Sequence, residues 1–219
     1  MSFYETLAAE TAEARNYLLS SPIVADCLRG EVSLPSYLAF LGQAFHHVRH
    51  TTPLLMSLGG RLPERLAWMR RAVAEYIEEE IGHEEWILND ISAAGGDAEA
   101  VRASRPGLPA EVMVAYAYDL VARGNPAAFF GMVFVLEGTS VALALQAADR
   151  IQQTLDLPDG AFSYLRSHGT LDQEHTKHLA SLLEKMTPED QADVVHAAKV
   201  FFKLYADIFR SLPTAREVP

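Results

Sequence analysis

Apolar residues recur along most of this chain at three- and four-residue intervals, and no stretch alternates apolar with polar positions for long enough to make a strand. The pattern predicts a run of helices separated by short Gly, Pro and Ser breaks. The first covers about Phe3 to Leu19. Ser20-Ser21-Pro22 stops it and restarts a short helix ending near Gly30. Ser33 is placed to cap a helix that begins at Leu34-Pro35 and runs towards Leu58, where Gly59-Gly60 ends it. Pro63 opens a long helix from Glu64 to about Ala93, closed by Gly95-Gly96. The stretch Asp97 to Pro109 reads as a loop around Pro106-Gly107. Further helices are expected at about Ala110 to Arg123, Pro126 to Leu155 and Asp159 to Lys185. Thr187-Pro188-Glu189-Asp190 then starts a last one, ending near Ser211. Residues 213–219 read as a frayed tail. Short connections and the absence of a composition break favour a single all-α, bundle-like domain over residues 1–219.

Composition narrows the classes. Apolar residues make up 49% of the 219, enough for a sizeable core, and 18 Lys and Arg against 29 Asp and Glu leave a net charge of −11. Such a chain offers no basic surface to a phosphate backbone, so no nucleic-acid partner is expected. The one cysteine, Cys27, rules out an intrachain disulfide and any multi-cysteine metal site. The N-terminus lacks the basic start and apolar stretch of a signal peptide, and the apolar run Pro126 to Leu136 stops at Glu137, short of a membrane span. A cytoplasmic location with no membrane partner is the expectation.

Three polar clusters interrupt the apolar pattern. His168, Asp172 and His175 stand at i, i+4 and i+7 of one predicted helix, so two imidazoles and a carboxylate share a stripe. Two nitrogen donors with a carboxylate suit Fe(II) and leave positions open for dioxygen and substrate. Glu80 and His83 form an E-x-x-H pair within an acidic patch of Glu78, Glu79, Glu84 and Glu85. That pair recurs as a ligand unit in di-iron carboxylate proteins, although a solvated helix face has the same composition. Glu137 follows the apolar run Phe129 to Leu136, in the helix expected at the centre of the bundle. A carboxylate there carries a large desolvation penalty unless it meets a cation or a metal. Together the clusters supply three carboxylates and three imidazoles from three helices, an inventory suited to two irons.

This order of motifs, E-x-x-H, then a lone Glu, then H-x-x-x-D-x-x-H, resembles the haem-oxygenase-like di-iron oxidases. The resemblance runs from the helix after Ser33 to the last helix. It implies a seven-helix bundle of the haem-oxygenase-like (TenA/PqqC) type, shared with haem oxygenase, thiaminase II and the pyrroloquinoline-quinone synthase. It also implies two Fe(II)/Fe(III) ions held by Glu80, His83, Glu137, His168, Asp172 and His175, with Glu137 as the bridge and Glu137 and Asp172 closest to the chemistry. Dioxygen would be the co-substrate and a small molecule the substrate, an amino acid or a fatty-acid-like carboxylate, in a homodimeric protein. Members of the group decarboxylate fatty acids, hydroxylate amine nitrogens or cleave amino-acid skeletons. The thiaminase branch carries its active cysteine mid-chain, unlike Cys27, and haem oxygenase carries its proximal His in the first helix, where this chain has none.

Arg49 is a candidate anchor for a substrate carboxylate and Tyr37 a candidate pocket residue, while His46-His47-Val48-Arg49-His50 reads rather as a solvated or interface face. His178 continues the ligand stripe and His196 reads as surface. Two other readings fit the pattern: a ferritin-like di-iron bundle pairing Glu80-x-x-His83 with Asp172-x-x-His175, and a metal-free enzyme or binding protein of the TenA/PqqC fold.

Overall fold

A computed structural model describes residues 1–215, including their side chains except those of residues 170–174. Among the described residues there is no strand. The helices are α1 (Phe3–Glu10), α2 (Ala12–Leu19), α3 (Pro22–Arg29), α4 (Leu34–Val48), α5 (Thr51–Arg61), α6 (Arg70–Glu80) and α7 (His83–Ala93). They are followed by α8 (Ala98–Ala103), α9 (Leu108–Arg123), α10 (Phe130–Leu155), α11 (Ser163–Leu183) and α12 (Pro188–Ser211). Short 3₁₀ turns over Glu64–Met69, Pro126–Phe129 and Asp159–Ala161 lead into α6, α10 and α11.

The twelve α-helices among the described residues exceed the seven implied by the resemblance and the eight read from the periodicity, because three of the eight are broken, each for a local reason, and one is added. Between α1 and α2 the Thr11 hydroxyl donates to the Leu7 carbonyl at 2.7 Å and competes with the helical ladder. Between α4 and α5 the chain turns at Arg49 and His50, because Pro53 has no N–H to give to the carbonyl of residue 49; Pro53 falls instead in the first turn of α5. Between α6 and α7 Gly82 adopts φ +89°, a left-handed conformation open to glycine and costly to other residues. The stretch expected as a loop at Asp97–Pro109 contains α8, capped by Asp97, whose side chain accepts from the Ala100 amide. Of the expected tail, Pro213, Thr214 and Ala215 are half-buried.

α10 runs through the middle. Its first half joins the larger core with Leu54, Met113, Phe201 and Phe202, and its second half joins a smaller core with Tyr37, Phe45, Ile91 and Phe162. Gly131 allows the tight crossing with α12: a Cβ at that position would stand 2.7 Å from the Val194 carbonyl oxygen and 2.8 Å from the Ala198 amide nitrogen. At the start of α12, Asp190 is fully buried, receives a two-armed ion pair from Arg65 and accepts from Asn125 Nδ2 at 2.7 Å.

Two stability measurements follow. Gly131→Ala meets backbone rather than a movable side chain, so the denaturant midpoint should fall by the equivalent of about 1–3 kcal/mol or more; an unchanged midpoint would refute the close crossing. The Arg65 hydrogen bonds, outweighing burial and joined by Asn125 and Thr187, lower the Asp190 pKa from 3.8 to about 2. A depressed folded-state value means that this stabilisation is complete above the ordinary aspartate range and is lost as pH falls through about 2. Unfolding scans between neutral pH and pH 2 should therefore show a steeper acid loss for the wild type than for Asp190→Asn; parallel curves would contradict the assignment.

Candidate metal centre

The break at Gly82 is what brings the first cluster together. Glu80 ends α6 and His83 begins α7, so the two residues face each other across a turn rather than along one helix. His83 Nδ1 lies 3.2 Å from Glu80 Oε2, yet the approach is not aligned as a hydrogen bond and this buried nitrogen has no hydrogen-bond partner among the described residues. His168, from the first half of α11, completes the group: one donor atom from each of Glu80, His83 and His168 lies within 4.8 Å of the others. The rings of His83 and His168 meet edge to face, with centroids 4.8 Å apart, and Trp86 stacks on the outer side of His83 at 3.9 Å. His168 Nδ1 stands 3.0 Å from the Tyr164 carbonyl oxygen. A carbonyl only accepts, so Nδ1 carries a proton, which leaves Nε2 as the nitrogen that can bind a metal.

A second nest adjoins the first. His175, two helical turns beyond His168, places Nδ1 3.7 Å from Glu137 Oε1 and Nε2 3.1 Å from Glu79 Oε2. Glu137 and His175 are each about 8% exposed. Tyr76 borders the pair, its hydroxyl buried and its ring 5.8 Å from that of His175. Burial first, and the charge of Glu137 second, raise the Tyr76 pKa, so it stays a phenol. Burial also works against ionisation of Glu80, but His83, His168 and His175 outweigh it and leave the Glu80 pKa lowered. Two carboxylates, Glu80 and Glu137, thus sit among imidazoles inside an apolar bundle. This donor set fits divalent iron: mixed carboxylate and imidazole ligands, largely buried, with a His83 nitrogen that no hydrogen bond satisfies among the described residues.

Five of the six expected ligands lie in these two nests, while the side chain of Asp172 lies outside the described residues. Their grouping differs from a simple split by helix, since His168 joins Glu80 and His83 while His175 joins Glu137. Glu79, read in the sequence as part of a solvated acidic face, reaches the second nest. His178 approaches Glu75 at 3.9 Å on the exposed side of the same helix pair, and His196 is exposed as expected.

The candidate substrate residues divide. Arg49 is exposed, its guanidinium 5.2 Å above the Phe45 ring on the outer side of α4, so it is no anchor inside the bundle. The turn forced before Pro53 carries it outward. Tyr37 does line the interior, but its hydroxyl donates to the Ala161 carbonyl at 2.6 Å and only the ring faces inward. His46 and His47, expected on a solvated or interface face, are buried. His46 Nε2 is 2.9 Å from Ser104 Oγ, while His47 lines an interior cavity with Nδ1 unpartnered among the described residues. Burial, reinforced by His168 and by His50 and His46, pushes the His47 pKa down to about 3, so the ring is neutral.

The cavity, of about 170 Å³, is lined by Glu80, Glu137 and His168, by a few further polar side chains such as His47, Tyr76 and Ser140, and otherwise mainly by apolar ones. No lysine or arginine is among the described residues lining it.

Asp90 sets where α11 begins. It is fully buried on α7, seven residues after His83, and its carboxylate accepts from the amides of Ser163 and Tyr164, each at 2.9 Å. It thereby ties the helix of His83 to the helix of His168. Asp90→Ala should leave both amides unpaired, cost about 1–3 kcal/mol and speed hydrogen exchange in the first turn of α11. Unchanged exchange at Ser163 and Tyr164 would show that the cap does not hold the helix.

Comparison with known proteins agrees with the geometry. In structure, the chain is similar to a domain of unknown function with a heme oxygenase-like fold from Shewanella denitrificans, at 25% identity and a TM-score of 0.86, over 94% of this chain and 89% of that one. It is also similar to a heme oxygenase from Leptospira interrogans (16% identity, TM-score 0.76, covering 97% and 100%) and to a TenA homolog from Pseudomonas syringae (11%, 0.78, covering 98% and 92%). At those identities the last two establish the fold alone. No curated protein matches the sequence. Residues 38–206, a span that contains both nests, match the model of a family described as iron-containing redox enzymes, and the chain belongs to that family.

Proposed function

We propose that the protein is a dioxygen-dependent non-haem oxidase that holds two irons and oxidises a small organic molecule in the adjoining cavity. The observation that carries this reading is the pair of nests, Glu80–His83–His168 and Glu137–His175, beside a mainly apolar cavity that Glu80, Glu137 and His168 line. Glu80, His83 and His168 would hold one iron. Glu137 and His175, with Glu79 beside them and Asp172 on the same stripe of α11, would hold the other. Ferrous iron in such a setting supplies the electrons that activate dioxygen, which no amino-acid side chain provides.

The remaining work falls to the protein. Trp86 and the Tyr164 carbonyl hold two imidazole rings in place. The Gly82 turn fixes the distance between Glu80 and His83, and the apolar walls exclude water from the reacting end. The heme oxygenase and TenA neighbours raise two other chemistries. In the α1 and α2 region, where haem oxygenase carries its proximal ligand, this chain has no histidine. Its one thiol, Cys27, is pushed by burial to a pKa of about 11, which leaves almost no thiolate for nucleophilic work. The iron reading keeps both nests in use.

The test is oxygen uptake by protein loaded anaerobically with Fe(II) and then mixed with aerated buffer. The wild type should consume dioxygen faster than free Fe(II) at equal concentration. His168→Ala and Glu137→Ala should reduce the rate at least about tenfold while the helical circular-dichroism signal is retained. Uptake indistinguishable from free iron, or variants as fast as the wild type, would contradict the proposal.

A further inference from the structure

A metal ion bound for the nests needs a way in, and the cavity does not provide one. Its lining is mainly apolar, and Glu80 and Glu137 are its only acidic side chains among the described residues. A hydrated divalent ion crossing it would shed water among groups that cannot replace it. Outside the first nest, Trp86 covers the ring of His83.

A polar route leads to the second nest instead. Side chains of α6 and α11 meet in two carboxylate–imidazole rungs, one helical turn apart. The outer rung is Glu75 and His178, 3.9 Å apart, with side chains 45% and 43% exposed. The inner rung is Glu79 and His175, 3.1 Å apart, with side chains 50% and 10% exposed. The other ring nitrogen of His175 lies 3.7 Å from Glu137, also 10% exposed. Oxygen and nitrogen donors therefore follow one another from solvent to a buried carboxylate. The Tyr76 ring lies between the rungs, its centroid 5.8 Å from that of His175 and 5.9 Å from that of His178. Its hydroxyl is buried without a hydrogen-bond partner among the described residues, which leaves an unused oxygen donor at the inner end.

The outer rung has no part in either nest, and its 3.9 Å separation is too long for a hydrogen bond. Arg71 donates to Glu75 at 3.0 Å, but the Arg71 side chain is 90% exposed and such a surface pair is readily displaced. A net charge of −11 draws cations to the surface on which this rung opens.

We propose that Glu75 and His178 form an outer docking site for a divalent cation, and that the ion passes from it by Glu79 to Glu137 and His175. This loading route rests on the two-metal reading.

The test follows cobalt(II), which keeps its charge in aerated buffer, entering and leaving the full-length metal-free protein. Stopped-flow mixing with a fluorescent chelator gives the uptake and release rates, and titration calorimetry gives Kd. The kinetic phase that disappears in His175→Ala belongs to the second nest. In that phase Glu75→Gln and His178→Gln should each slow uptake and release alike, by about fivefold or more, with Kd within about twofold of the wild type. Losing a passage slows both directions, whereas losing a ligand weakens Kd. Glu75→Asp should recover part of the rate. Glu78→Gln removes an exposed charge from the same helix outside the rungs and should leave both rates as in the wild type.

Unchanged rates in Glu75→Gln and His178→Gln would overturn the route and leave the two-metal reading intact. So would slower uptake with unchanged release, or a loss in Glu78→Gln as large as in Glu75→Gln, since either reports general attraction rather than a site. A wild-type protein with no His175-dependent phase would overturn both the route and the two-metal reading.

Discussion

Carboxylates held inside an apolar bundle are the constraint around which this molecule is arranged. Glu137 sits in the most apolar helix, and Glu80 ends a helix against the same interior. Ionised and unmatched, either would cost several kcal/mol. Imidazoles surround them, and around Glu80 they outweigh the cost of burial. The divalent cation proposed above would match both carboxylates, and the burial of the nests and their donor chemistry argue for the same thing.

The helices show what is needed to keep such a centre in register. Gly82 takes a left-handed turn so that Glu80 and His83 converge from two helices. Asp90 pins the start of α11 to α7 and so fixes His168 relative to His83. Gly131 lets α10 lie close against α12, which leaves the next turns of α10 free to present Glu137 to one side and a line of small residues to the cavity. One helix therefore carries both Glu137 and part of the cavity wall.

Much of this could be read from the sequence, because the signals are local. The i, i+4, i+7 stripe around His168 and the isolated Glu137 are each patterns within a single helix; His175 and Glu137 are buried and His168 lines the cavity, while the Asp172 side chain lies outside the described residues. The motif order carried the fold. What escaped depends on where helices break and how they then pack. Pro53 marks the end of α4 plainly, but an apolar period running through it to Leu58 hides the stop. With the break unseen, the run from His46 to His50 reads as one solvated or interface face; Arg49 does face outward, but His46 and His47 are buried. Glu79 could not be separated from the acidic residues around it, since only the angle between α6 and α11 turns it towards His175. The cavity lies between two cores assembled from distant segments, so no local period reports it.

The most direct measurement of the central claim is anomalous X-ray diffraction, at energies on either side of the iron absorption edge, from crystals soaked anaerobically with Fe(II). Two iron peaks are expected, one among Glu80, His83 and His168 and one beside Glu137 and His175. Peaks confined to surface carboxylates, or none at all, would contradict the account.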